Sequence, residues 1–374
     1  MSKILPNSPI RVCFIILKSY PLFNRNVESR FGGAELDLYL LATELAKDKN
    51  FNVSFVVGDY GQKPIEVHEG VTVFKSVNID KNLFLGSWRI WRALRRANAH
   101  ICVGKAFSLS MALQAFFCKV NKCKYVYRTA SAEECNGEYI RQHPLRGRAV
   151  IWAIRSAQKV LVQNDDDAEK LLETLNIHSE VIRNGHRLAP SSERLRDTIL
   201  WAGRSASVKK PYRFLDMARQ VPSRHFTMIC QRSGGDERYD DLIEQAKQLD
   251  NLQFIPRVPF HDIDSYFQRA KVFVNTSDSE GFPNTFIQAC SAATPILSLN
   301  VNPDTFLDKY NCGISCDGDW QKLLDGLDFM LAVDRYVQLG QNARKYAEQN
   351  HDIAKIIKQY KKLFIELAEE PVKN

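Results

Sequence analysis

The 374-residue chain has no apolar run long enough to cross a bilayer, which takes about 18 residues. Any membrane contact is therefore expected to be peripheral. The short apolar run Val12–Leu17 lacks the length and the small-residue cleavage site of a signal peptide. There is no Cys-x-x-Cys pair. The nine cysteines are odd in number and irregularly spaced, which leaves thiol zinc sites and thioredoxin chemistry without a carrier. Several lie in apolar runs and read as small core residues, in keeping with a reducing, cytoplasmic compartment. None of the eight histidines pairs at metal-ligand spacing. Neither a Gly-x-Ser-x-Gly elbow nor a Walker loop occurs, so hydrolase and ATPase readings have no support. The basic residues are dispersed and no nucleic-acid-binding module is present, so no nucleic-acid partner is expected.

What is there is ordinary in bulk. Apolar residues make up 45% and charged residues 25%, typical of a globular protein. The length suits two domains. A net charge of +8 fits an anionic partner such as a nucleotide or a lipid headgroup.

Strand-length apolar runs alternate with helical patterns. Strands are expected at Arg11–Leu17, Asn52–Val57, Val71–Phe74, Ile101–Gly104, Lys124–Arg128, Lys159–Val162 and Glu180–Ile182. A second series runs Thr198–Ala202, His225–Cys230, Leu252–Ile255, Val272–Asn275, Pro295–Leu299 and Gly313–Cys316. Such alternation implies parallel sheets with helices on both faces. The fold class is α/β, with two Rossmann-like doubly wound domains facing a cleft. The polar stretch His186–Asp197 reads as the linker. The expected domains are residues 1–190 and 191–350, with a closing helix at 353–369.

In doubly wound sheets, ligands bind beyond the carboxyl ends of the strands. Three loops there carry chemistry. Gly32-Gly33-Ala34-Glu35 precedes a helix, where two glycines and a helix N-terminus suit an anion or a plain turn. Trp201-Ala202-Gly203-Arg204 leads through Lys209 to a helix at Pro211, and this pair of cations can neutralise a diphosphate. Ser279-Glu280-Gly281-Phe282-Pro283-Asn284 follows a buried strand, with Pro283 expected in the first helical turn. Asn284 and Gln288 share a helix face. Glu280, the loop amides and Gln288 can thus converge on a polyhydroxylated ligand.

These last two segments, in this order, resemble the retaining glycosyltransferases of family 4, which have the GT-B fold and include bacterial enzymes of surface-polysaccharide synthesis. The resemblance extends to Gly32-Gly33-Ala34-Glu35 and to Val181-Ile182-Arg183-Asn184-Gly185. It implies that the N-terminal domain takes the acceptor and the C-terminal domain a UDP- or GDP-type nucleotide sugar. The closing helix would pack back on the N-terminal domain. The implied acceptor is a saccharide or lipid-linked saccharide at the inner membrane face, the implied linkage is α, and no metal or other cofactor is called for. Arg204 and Lys209 would hold the diphosphate and Glu280 the sugar hydroxyls. Gly281, Phe282 and Pro283 would present backbone, Val258 would contact the base, and Gly33 would approach the phosphate. The family's second acid falls at Gln288, whose amide can still bond a ribose hydroxyl. Where many members have a histidine, this chain has Tyr125-Val126-Tyr127-Arg128-Thr129-Ala130-Ser131. Arg128 and Ser131, with Gly32, are candidates for the acceptor side. Two other readings stay open: a nucleotide-sugar epimerase of the same fold, and a catalytically silent nucleotide-sugar-binding subunit.

Asp165-Asp166-Asp167 offers an Asp-x-Asp metal pattern, but its place at a helix start favours the helix dipole. The helix Leu83–Asn98 mixes tryptophans and arginines and could touch anionic lipid. The favoured reading makes Trp88, Trp91 and Leu94 a core stripe.

Overall fold

The computed structural model describes residues 8–29, 31–78, 83–105, 107, 109–190, 195–260 and 262–370. Part of the expected linker, Ser191–Arg194, lies outside the described residues. The chain divides into two compact units, one running to Arg187 and resuming at Ile353, the other Leu188–Asp352.

The first unit holds a sheet of eight strands: β1 (Ile10–Ile15), β2 (Phe51–Val57), β3 (Ile65–His68), β4 (Val71–Lys75), β5 (Ile101–Lys105), β6 (Lys124–Arg128), β7 (Lys159–Val162) and β8 (Glu180–Val181). The order is β3-β4-β2-β1-β5-β6-β7-β8. Every pairing is parallel except β3 with β4. The parallel strands are covered on both faces and so read as continuous apolar runs. The edge strand β3 escapes the sequence pattern because Ile65 and Val67 face solvent. It turns into β4 through Glu69 and Gly70, both at positive φ (47° and 79°). That backbone is what a tight two-residue hairpin needs, and Gly70 adopts it without steric cost.

The helices used below are α1 (Gly33–Leu45), α2 (Leu83–Ala97), α3 (Leu109–Val120), α4 (Pro144–Arg155) and α5 (Asp165–Leu175). The amide of Asp167 is capped by Asn164 Oδ1 at 2.7 Å, and all three aspartates fall in the first turn of α5. They sit where the helix dipole favours negative charge. The closing helix, Ile353–Glu369, packs on α1, β1 and β5. Its Ile353 explains Gly185: a Cβ there would come within 2.5 Å of Ile353 Cδ1.

The second unit holds β9 (Thr198–Arg204), β10 (Phe226–Gln231), β11 (Leu252–Ile255), β12 (Ala270–Asn275), β13 (Ile296–Ser298) and β14 (Gly313–Ser315). All are parallel, in the order β11-β10-β9-β12-β13-β14. From β9 the chain moves first toward β10 and β11, then crosses back to β12. The order therefore reverses between β9 and β12, and this is the topological switch point where such sheets leave a crevice for a ligand. The loop after β9 leads to α6 (Pro211–Gln220), and the loop after β12 to α7 (Asn284–Ser291).

Candidate active site

Two loops leave the sheet side by side at the β9/β12 switch point, and both carry residues expected from the sequence. Thr276 Oγ1 accepts the indole N–H of Trp201 at 2.9 Å and donates to the Lys209 carbonyl at 2.7 Å. The Asp278 amide donates to the Val208 carbonyl at 2.8 Å. Lys210 pairs with Asp278 at 3.0 Å. Lys210 itself has left-handed backbone, φ 47°, a conformation that costs roughly 1 kcal/mol for a residue with a side chain. These bonds from the β12 loop hold the turn in place.

Within this frame the Lys209 ammonium donates to Glu280 Oε2. The other carboxylate oxygen accepts from Ser277 Oγ at 2.7 Å and from Asn275 Nδ2 at 3.1 Å. Glu280 is thus aimed by three donors from two loops before any ligand arrives. Both side chains of the pair keep partial exposure, 22% for Lys209 and 13% for Glu280. Arg204 ends β9 exposed, and its guanidinium has no ion-pair partner among the described residues. Lys209 and Lys210 are each balanced by an acid, so Arg204 is the uncompensated charge of this loop.

Pro283 lies one position earlier than expected. It is the N-cap of α7, extended (φ −62°, ψ 131°), and not part of the first turn. Proline has no side-chain acceptor, so the N-cap residue itself gives α7 no side-chain cap. Phe282 explains how the loop keeps its shape. Its ring is buried, 4.6 Å from His351 and 5.2 Å from Phe306 between centroids. The side chain anchors the loop, in which Gly281, Phe282 and Pro283 are all buried. Asn284 is half-buried in the first turn of α7. Gln288 is 6% exposed, with no side-chain hydrogen-bond partner among the described residues. Val258, in the loop after β11, packs partly against the core beneath α7.

In the first unit, the amide of Gly32 donates to its own Glu35 carboxylate at 2.8 Å. That acid already occupies part of the anion position at the start of α1. Ser131 is half-buried just beyond β6. Arg128 corrects the sequence reading. It is 0% exposed, and all three arms are taken: Nε by Asp37 at 2.8 Å, Nη1 by the Ile182 carbonyl at 2.8 Å and Nη2 by Asn184 Oδ1 at 2.5 Å. The Tyr360 ring of the closing helix lies 5.8 Å from its guanidinium carbon. Arg128 therefore ties β6 to α1 and to Asn184 and cannot line an acceptor surface.

Sequence reasoning also missed the groups around it. Lys105 donates to Asp37 at 2.6 Å. Burial pushes the Lys105 ammonium down to about 8 against the pull of Asp37. Burial opposes the Asp37 charge too, but Arg128 and Lys105 prevail and hold its pKa below the ordinary value. Nearby, burial pushes Glu134 up to about 7, although it accepts from the Tyr127 hydroxyl at 2.6 Å and from the Ala130 and Phe107 amides. All nine cysteines are free and buried. Cys102, Cys118 and Cys123 bring their sulfurs within 4.8 Å of one another in the core, a convergence invisible from their spacing.

The sequence pattern of Glycosyl transferases group 1 matches residues 190–347. An uncharacterized glycosyltransferase of Haemophilus influenzae is 24% identical over 92% of this chain and 99% of its own length. The O-antigen biosynthesis glycosyltransferase WbnH of Escherichia coli is 25% identical over 41% of this chain and 42% of its own. In fold, the chain is similar to HepE of Anabaena, solved in complex with UDP, with TM-score 0.73 and 17% identity over 96% of this chain and all of that one. No described helix is long and apolar enough to cross a membrane. The two parallel sheets and these likenesses support a glycosyltransferase built of two Rossmann-like domains, with the group 1 pattern falling on its second unit.

Proposed function

We propose that the chain is a retaining glycosyltransferase of family 4 that moves a sugar from a UDP- or GDP-type donor to a saccharide or lipid-linked saccharide. The carrying observation is the arrangement at the β9/β12 switch point. Glu280 is pre-aimed by Ser277, Asn275 and Lys209, and Arg204 ends the neighbouring strand β9 with no ion-pair partner among the described residues.

In this reading Glu280 accepts hydrogen bonds from hydroxyls of the transferred sugar. Lys209 has three N–H donors. One holds Glu280, and the others reach the diphosphate, so one ammonium orders both sides of the bond that breaks. Arg204 gives its planar fork to phosphate oxygens. Gly281–Pro283 and the start of α7 offer backbone to the sugar and phosphates, Asn284 lies beside them, and Gln288 takes a ribose hydroxyl. Val258 lies where the base would meet backbone. The acceptor oxygen bonds to the anomeric carbon on the face from which the diphosphate departs. The carbon–oxygen bond to phosphate breaks, and the acceptor proton passes to the departing phosphate oxygen. The product is an α-linked sugar and a nucleoside diphosphate. Catalysis is then positioning plus charge stabilisation. The two cations supply the positive charge, and no step is assigned to a metal or another cofactor. The first unit takes the acceptor, with Gly32 and Ser131 on that side, and Gly33 is the residue of that unit assigned to the donor phosphate. The named role of the Escherichia coli relative in O-antigen biosynthesis supports surface-polysaccharide synthesis, and the proposed location is the cytoplasm, at the inner membrane face.

A thermal-shift panel of nucleotide sugars tests the donor, since a ligand bound only by the native state raises its apparent stability. Release of nucleoside diphosphate with oligosaccharide or lipid-linked acceptors then tests transfer. Gln288 in place of an acid favours one rival, a silent nucleotide-sugar-binding subunit. Binding without turnover on any acceptor would support that rival.

A further inference from the structure

The charge of the first unit is unevenly placed in a way the linear sequence conceals. No aspartate or glutamate occurs anywhere from Lys81 to Ala132. The helices α2, α3 and α4 contain no acid at all. They lie in a row, α2 packed on α3 and α3 on α4. Their inward residues, among them Ile90, Leu94, Phe117, Val150 and Ile154, share one core cluster. Their outward faces are therefore neighbours on one surface.

That surface is basic. α2 presents Arg89, Arg92, Arg95 and Arg96, all exposed. α3 adds Lys119, and α4 adds Arg146, Arg148 and Arg155, all exposed too. None of these cations has a carboxylate partner among the described residues. The surface is also apolar. Trp88 is 59% exposed and Leu145 82%, joined by Phe116, Val120 and Trp152. This corrects the core-stripe reading of α2: Leu94 is buried and Trp91 packs 4.9 Å from Phe117, but Trp88 points outward with Arg92 5.4 Å from its ring.

We propose that the α2–α3–α4 face is a docking surface for a bilayer rich in anionic phospholipid. The pattern fits that partner on two counts. Unpaired arginines attract the phosphate headgroups of a negatively charged surface. Exposed tryptophan, phenylalanine and leucine between them gain by entering the boundary of headgroups and acyl chains. A nucleic acid would satisfy the cations but not bury Leu145 and Val120. The proposal goes beyond sugar transfer and stands or falls without it, because the face binds lipid whether or not a donor is present.

The test is co-sedimentation of the full chain with vesicles of phosphatidylcholine alone or mixed with phosphatidylglycerol. Binding is expected to the mixed vesicles and not to the neutral ones, and to weaken as salt screens the charges. The fourfold variant Arg89→Gln, Arg92→Gln, Arg95→Gln, Arg96→Gln should bind the mixed vesicles on the order of 100-fold more weakly. A control variant in the second unit, Arg219→Gln, Arg224→Gln, Lys247→Gln, Lys309→Gln, should bind as wild type. Emission from Trp88 and Trp152 should move to shorter wavelength on binding. Circular dichroism checks that both variants fold. Equal binding to neutral vesicles, equal loss in the two variants, or tighter binding to duplex RNA than to the mixed vesicles would overturn the proposal.

Discussion

The ammonium of Lys209 donates to the carboxylate of Glu280 across a sequence separation of 71 residues, joining the loop after β9 to the loop after β12. The pair sits at the switch point of the second sheet. It pre-orients the Glu280 carboxylate, and in the proposed reading it leaves Lys209 further donors for phosphate.

Lys209→Ala should therefore cost both stability and turnover. Glu280 would lose one of three donors while still three-quarters or more buried, a loss of about 2 kcal/mol for a charged hydrogen bond. Urea unfolding should show that drop, and transfer should fall about 100-fold or more, as when one stabilising donor of a transition state is removed. Wild-type turnover in a folded Lys209→Ala protein would remove it from the site.

Arg128→Met should act on the fold alone. It leaves the Ile182 carbonyl, Asn184 and half of the Asp37 contacts without their donor. Breaking a buried charged pair from one side costs about 3–5 kcal/mol. Chemical denaturation should show a loss of that size, with nucleotide affinity unchanged in the folded protein. A loss below about 1 kcal/mol would contradict the buried-tie role.

Glu134 makes a prediction for pH. Its folded pKa of about 7 lies above the ordinary carboxylate value of 4.5. The native state then holds a proton that the unfolded chain has already released. Stability is fully present below about pH 4.5 and declines as pH rises toward about 7, with a slope set by the difference in bound protons. In Glu134→Gln that decline should disappear, flattening the melting temperature across this window relative to wild type. Lys105 and Tyr127 also face this group. Each titrates above the window: Lys105 at about 8, and Tyr127, pushed up by burial, well above 10.0. An unchanged pH profile in the variant would show that Glu134 is ionised in the native protein.

How much of this was legible beforehand depends on whether a residue's partner is near it in sequence. Both sheets could be read because buried parallel strands are plain apolar runs. The meeting of Glu280 and Lys209 could be anticipated because polar residues directly after such runs gather beyond the strand ends. Trp201 and Thr276 could not, since their bond spans 75 residues. Arg128 was misread for the same reason. A cation at a strand end looks exposed, and its acid, Asp37, lies 91 positions away within a helix. The strand β3 was missed because its apolar residues face outward, against the usual pattern. Trp88 was misassigned because helical spacing marks a stripe without saying where the stripe ends.

The most direct test of the account is equilibrium binding of a free nucleoside diphosphate and its nucleotide sugar to wild type, Arg204→Ala and Glu280→Ala. The account predicts that Arg204→Ala weakens both ligands about 10- to 100-fold, the range of a lost charged hydrogen bond. Glu280→Ala should weaken the nucleotide sugar by a similar factor, leave the free diphosphate nearly unchanged, and abolish transfer in a folded protein. If Glu280→Ala binds both ligands as wild type does, or loses both alike, Glu280 is not the sugar anchor and the site assignment fails.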